Sequence, residues 1–340
     1  MAGTKTRRRL EHLGLALTGT LAALMLAFVI SHWLRSSPAG WYYDEFLVAG
    51  AWMDHYLGTR VFRRSFMWQQ ISTGVFVGIV APLVGVYLVH REMALIGETL
   101  AHTAFAGVVF GFIFMAVTGI GGSPLLVALL VGIIGALGVQ WLGERTRTYG
   151  DVPIAIMLSG SFAVGTLLIS WGRDSLSIAI DIEQYLWGNV STIPPEGARL
   201  MAALSVAVVA IVALNYKQFL FITFDEQAAR VARLDVDAYN TLLVVITAVV
   251  VVGSMQIMGV ILVAAMLVVP VAAASQVAES FRETLYLSII VGQVSVIGGF
   301  AFAISQGLPA GSSIVLAAIA LYLLSIALSD KPVTALSPEG

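Results

Sequence analysis

The chain has 340 residues, 59% of them hydrophobic and only 11% charged, with a mean hydropathy of +0.91. A water-soluble protein of this length needs far more charge to cover its surface, so the composition excludes that class and implies a lipid solvent. A net charge of −2 leaves no electrostatic footprint for nucleic acid, and the lack of cysteine excludes disulfides, thiolate metal sites and iron–sulfur clusters.

In chain order, a basic start (Lys5, Arg7, Arg8, Arg9) precedes an apolar run from Leu13 to Leu34. The run is longer than a signal-peptide core and no small-residue cleavage site follows it, so it reads as a retained membrane anchor. Segment 35–66 comes next. Its charges forbid a span, whereas Trp41, Tyr42, Tyr43, Trp52 and Tyr56 suit a helix lying at a membrane interface. Within it, Asp44, Glu45, Asp54 and His55 form a candidate cation-attracting set on the outer side; a solvated amphipathic connector accounts for the same residues.

A helix needs roughly 20 apolar residues to cross a bilayer. That criterion marks spans near 13–34, 67–89, 93–117, 124–142, 152–171, 197–216, 240–255, 257–274, 284–304 and 312–329. Pro124, Pro153 and Pro194-Pro195 stand where helices can start, while Pro82 and Pro270 fall inside spans, where kinks are expected. The uncharged stretch 240–274 is too long for one span and short for two, with a turn expected somewhere in Gly253–Gly259. Alternating spans with the N-terminus inside leave twelve of the 18 lysines and arginines on the inner side, so both termini are expected in the cytoplasm. The expected fold is all-α: a polytopic transmembrane helical bundle of about ten spans. Residues 1–66 form an extra span plus an outer amphipathic segment, 67–329 the core, and 330–340 a cytoplasmic tail.

Ionisable groups inside spans are costly and usually functional. One constellation stands out: Glu98 and His102, four residues apart and so on one helix face. A helix starting near Glu92 would put His102 roughly 15 Å deep at about 1.5 Å per residue. Carboxylate and imidazole are both ligands for Zn²⁺, Mn²⁺ or Fe²⁺. Two ligands are half a site, which a second copy related by a two-fold axis would complete. The small residues Gly97, Ala101, Ala104, Gly107 and Gly111 would let helices approach closely there. Spacing alone equally suits a proton relay or an interhelical hydrogen bond.

Between two spans on the inner side lies Asp225-Glu-Gln-Ala-Ala-Arg-Val-Ala-Arg-Leu234. Asp225 suits an N-cap, Glu226 the first turn, and Arg230 with Arg233 the last. Ala228, Ala229 and Leu234 contribute to a compact, partly apolar helix able to dock on a partner, and an ordinary capped loop helix reads the same way. No Gly-x-x-x-x-Gly-Lys-[Ser/Thr] loop occurs, so this chain does not hydrolyse ATP by that route.

The run Arg91-Glu-Met-Ala-Leu-Ile-Gly-Glu98-Thr-Leu-Ala-His102 resembles the signature of the ABC-3 family of zinc, manganese and iron transporter permeases. Phe224–Leu234 is similar to that family's cytoplasmic coupling segment, Val260–Ala274 to its Pro-Ala-Ala stretch, and Tyr185-Leu-Trp-Gly188 to an outer Tyr-Leu-Phe-Gly. The likeness covers roughly 67–329. It departs in two places: the acid, usually Asp, is Glu98, and a Pro-Gly after the histidine is Ala106-Gly107. The resemblance implies a multi-pass cell-membrane subunit of a divalent-metal importer, a transport component rather than an enzyme. It implies a cytoplasmic ATPase, an outer metal-binding protein and a second permease copy as partners. Glu98 and His102 would be the intramembrane ligands; the metal is cargo, and no covalently attached cofactor is implied. A proton-coupled secondary carrier using the same pair is the alternative. An intramembrane metalloenzyme is disfavoured by the lack of His-Glu-x-x-His.

Overall fold

The computed structural model describes residues 2–35, 40–145, 152–176, 186 and 195–329. The motif over 185–188, apart from Leu186, and the tail over 330–340 lie outside the described residues. Among the described residues there are helices and no strands: α1 Ala2–Trp33, α2 Trp41–Leu57, α3 Ser65–His90, α4 Ile96–Thr118, α5 Pro124–Arg145, α6 Val152–Leu176, α7 Pro195–Leu214, α8 Tyr216–Phe224, α9 Glu226–Val231, α10 Val236–Met258, α11 Val260–Val277, α12 Phe281–Gln306 and α13 Ala310–Leu328. Each of the ten expected spans falls on one helix. Nine are long and apolar enough to cross a bilayer; the tenth, α11, is shorter, with its apolar stretch over Leu262–Val277.

Helix α3 is central, buried nearly throughout between α7, α10, α11 and α12. Small residues let its neighbours in. A Cβ at Gly85 would collide with the Leu267 carbonyl oxygen of α11. A Cβ at Gly292 of α12 would lie 2.5 Å from the carbonyl oxygen of Gly78, the acceptor that Pro82, lacking an N–H, leaves without its helical donor. Both Pro82 and Pro270 sit inside unbroken helices. Gln293 of α12 donates from Nε2 to the Val75 carbonyl at 2.6 Å, a direct polar tie between buried faces.

Helices α4, α5 and α6 form a second unit that joins the core through α10 and α11. Helix α6 rests mainly on α4 and is the span least covered by the rest of the chain. Helix α1 lies along α3 and α12, and Phe28 is buried among the rings of Tyr43, Phe46 and Trp68, which fastens α2 across the start of α3.

The expected turn within Gly253–Gly259 contracts to one residue. Helix α10 runs on to Met258, and Gly259, at φ 75° and ψ 163°, changes direction alone. That conformation is open essentially to glycine only. The span expected at 197–216 ends at Leu214, where Asn215 donates from Nδ2 to the Ile211 carbonyl at 2.8 Å. The following α8 was not expected from the sequence.

Candidate metal site

The start of α4 differs from the expectation. Helix α3 ends in a Schellman turn: Glu92 takes φ 58°, its N–H bonds the Val89 carbonyl at 3.2 Å, and the Met93 N–H bonds the Leu88 carbonyl at 2.8 Å. Residues 91–95 are taken up by this turn, so α4 begins at Ile96 rather than near Glu92. His102 therefore lies about 9 Å along the helix and Glu98 about 3 Å, shallower than a start at Glu92 would place them. A left-handed glutamate gives no sequence signal of the kind glycine gives, which is why the boundary was misplaced.

Glu98 sits in the first turn of α4, where the helix dipole favours a carboxylate. It is exposed, and His102, one turn on, is half-buried. Beyond His102 every residue from Thr103 to Val109 is buried, and α4 becomes exposed again only at Phe110, Phe114 and Val117, toward its far end. The His102 ring stands edge-on to Phe162 of α6, and its Nδ1 is buried with no hydrogen-bond partner among the described residues. Thr99 Oγ1 donates to the Ile154 carbonyl of α6 at 3.2 Å, which ties α4 to α6, while Thr103 Oγ1 donates back to the Thr99 carbonyl within α4 at 2.8 Å. Gly97 approaches Leu267 of α11, while Gly107 and Gly111 approach Ala128, Val131, Pro124 and Val127 of α5. Ala101 and Ala104 are fully buried. The small residues thus pack α4 against its own chain.

Among the described residues no group of three or more His, Asp or Glu side chains converges on one point. One chain brings two candidate ligands, an exposed carboxylate and a half-buried imidazole.

The outer set does not come together. Asp44, Glu45 and His55 are exposed, with the His55 ring on Tyr56. Asp54 is buried and saturated. Its Oδ1 accepts from Thr59 Oγ1 at 2.7 Å and from the N–H groups of Val61 and Phe62 at 2.9 and 3.0 Å. Its Oδ2 accepts from the Arg63 N–H and Nε at 3.0 and 3.1 Å. Burial pushes this carboxyl up, but the hydrogen bonds from Phe62, Thr59 and Arg63 outweigh it and hold the group well below the usual carboxylate range. Asp54 is a loop-closing group with no lone pair left for a cation, which corrects its place in the cation-attracting set.

At the other end of the bundle, Asp225 caps α9, accepting from the Ala228 N–H at 2.8 Å. Glu226 and Arg230 pair at 3.0 Å. Ala229 is buried against Ile222 and Val236, and Leu234 packs on that cluster. Arg233 lies beyond the helix in a second Schellman turn at φ 62°. Val231 and Phe224 point outward, 84% and 64% exposed. Helix α8 is held by rings: Phe219 on Tyr87 and Tyr239, and Phe224 on Phe281. Sequence reasoning singled out neither Asn240 nor Asp237, and took Arg91 as the first residue of the Arg91–His102 run. Arg91 donates from a guanidinium nitrogen to Asn240 Oδ1 at 2.7 Å and lies 3.8 Å from Glu226, while Arg230 pairs with Asp237 at 2.8 Å. The signal for Arg91 was its position as a lone arginine directly after a span.

Comparison with known proteins bears on what this arrangement serves. The family model described as "ABC 3 transport family" matches residues 63–329. The chain is 30% identical over 267 residues to the manganese transport system membrane protein MntC of Halalkalibacterium halodurans, covering 78% of this chain and 88% of that one. It is 28% identical over 266 residues to the manganese import system permease protein ScaB of Streptococcus gordonii, covering 78% and 92%. Among solved structures, PsaBC from Streptococcus pneumoniae in complex with Fab superposes with a TM-score of 0.68 at 30% identity, covering 78% of this chain and 92% of that chain.

Proposed function

The chain belongs to the ABC 3 transport family, and on that premise we propose that it is the membrane-spanning permease subunit of an ATP-driven importer of divalent transition-metal ions. It is an integral, multi-pass membrane protein and a transport component rather than an enzyme. The observation that carries the metal reading is the pair Glu98 and His102, one turn apart at the start of α4, with Glu98 exposed and a His102 imidazole nitrogen buried with no hydrogen-bond partner among the described residues. Two oxygens and a nitrogen from one chain are half a coordination shell. A second copy related by a two-fold axis would complete it with ligands acceptable to Mn²⁺, Zn²⁺ or Fe²⁺. The names of the relatives favour manganese as the first ion to test.

With the N-terminus inside, the end of α8 and α9 face the cytoplasm and present Phe224 and Val231 to a separate ATPase chain. The opposite end, with α2, faces an outer metal-binding protein. Movement of α4 against its two-fold mate would open the pair to one side and then the other. The test is uptake into liposomes holding this chain with its ATPase. Wild type should accumulate Mn²⁺ on ATP addition and His102→Ala should not. Uptake that followed a pH gradient without ATP would overturn the reading in favour of a proton-coupled carrier.

A further inference from the structure

Arg91 closes a ring of polar contacts that begins and ends on α10. Asp237 in the first turn of α10 pairs with Arg230 of α9 at 2.8 Å, and Arg230 with Glu226 at 3.0 Å. Glu226 faces Arg91 at 3.8 Å, and Arg91 returns to Asn240 of α10 at 2.7 Å. The ring borders a cavity of about 600 Å³ between the α3–α4 turn, α5, α6, α9 and α10, whose floor includes Met93 and Ile96 at the entry to α4. Its members are unequal. The Arg230 and Glu226 side chains are 50% and 44% exposed, and exposed pairs contribute little to stability. The Arg91 side chain is 12% exposed, so its charge depends on the two partners it has.

The backbone around Arg91 is also committed. It precedes Glu92 in the left-handed conformation, which fixes the direction in which the chain leaves α3 and enters α4. From Arg91 the chain reaches Glu98 in seven residues with only the turn between. Helix α8 is fastened to α3 and α12 by apolar rings, whereas α9 reaches the α3–α4 turn through polar contacts that can rearrange.

We infer that Arg91 is a positioning residue that transmits displacement of α9 to the α3–α4 turn, and so to the helix carrying Glu98 and His102. This rests on the reading of α9 as the segment that meets the ATPase. A displaced Glu226 would draw on Arg91 because a shielded guanidinium that lost this partner would be left under-paired. Arg91 in turn holds the start of α4 through the rigid turn and holds α10 through Asn240.

Because the chain has no cysteine, spin labels can be placed directly at Leu95→Cys and Gln227→Cys, both exposed positions, and their separation measured in the reconstituted complex with its ATPase. With Arg91 present, nucleotide should move both labels together and the separation should stay narrowly distributed. In Arg91→Gln the distribution should broaden, and the ions moved per ATP hydrolysed should fall about tenfold, within the usual range for coupling between sites, while hydrolysis continues. Arg91→Lys should restore part of the coupling, and Asn240→Asp should preserve it. Arg282→Gln, which removes a cation outside the ring, should leave both readouts as in wild type. An unchanged separation in Arg91→Gln, or uptake and hydrolysis falling in proportion, would overturn the inference. If wild type moves no metal, the transport reading fails, while the label separation still decides whether Arg91 couples the two helices.

Discussion

The imidazole of His102 meets the ring of Phe162 edge-on, with centroids 5.1 Å apart and planes at 81°. The contact joins α4 to α6, the span least covered by the rest of the chain, and fixes the plane in which the histidine presents its nitrogens. Edge-to-face ring pairs contribute about 0.5 to 1.5 kcal/mol beyond burial. Phe162→Ala should therefore raise the metal concentration for half-maximal uptake about two- to tenfold while leaving the ATPase partner bound, as read from uptake against Mn²⁺ concentration.

Asp54 is expected to matter for stability and not for ion binding. Five donors converge on it, and its side chain is fully shielded. Asp54→Asn should destabilise the α2–α3 corner by about 2 kcal/mol or more, because donors to a carboxylate lose their charged acceptor. The pH dependence follows from the lowered pKa. The contribution is present above the unfolded value of about 3.9 and disappears as pH falls through the folded value beneath it. Thermal denaturation of wild type and Asp54→Asn should differ by a constant margin from about pH 7 to pH 5, with the gap narrowing progressively below about pH 4 and closing only well below that. A gap that instead widened with acid would contradict this role.

Gly259 is the whole connection between α10 and α11, at φ 75° and ψ 163°. Gly259→Ala should cost about 1 to 3 kcal/mol, the usual strain of a side chain held in that region. The apparent melting temperature in detergent should drop by several degrees; an unchanged value would mean the backbone relaxes without penalty.

Val231 stands 84% exposed on α9. Val231→Asp should leave the isolated chain as stable as wild type, since nothing covers the side chain. It should weaken capture of the ATPase partner about tenfold or more, because docking would bury an unpaired charge. Equal capture by both forms would place the ATPase contact elsewhere.

The spans were legible because hydrocarbon thickness dictates their length, and the placement of Glu98 and His102 one turn apart because four-residue spacing fixes it on a helix; what the pair does is not set by spacing. The start of α4 was not, since a left-handed turn at glutamate leaves no glycine to mark it. Asp54 looked like a free acid because its donors, backbone N–H groups over 61–63, become visible only once the loop closes. Arg91 was legible as the first residue of the Arg91–His102 run; its partner Asn240 lies 149 residues away, and no local pattern links them. The small residues of α4 were read correctly as close-packing positions, but which helix approaches them is set by tertiary contacts with α5 and α11.

The most direct test of the central claim is equilibrium binding of Mn²⁺ to the purified chain in lipid nanodiscs, with the bound ion counted per chain. A site shared between two copies predicts one ion per two chains in wild type, and none in Glu98→Gln combined with His102→Ala, although that variant stays folded and dimeric. Binding undiminished in the double variant, or one ion per chain in a monomer, would contradict it.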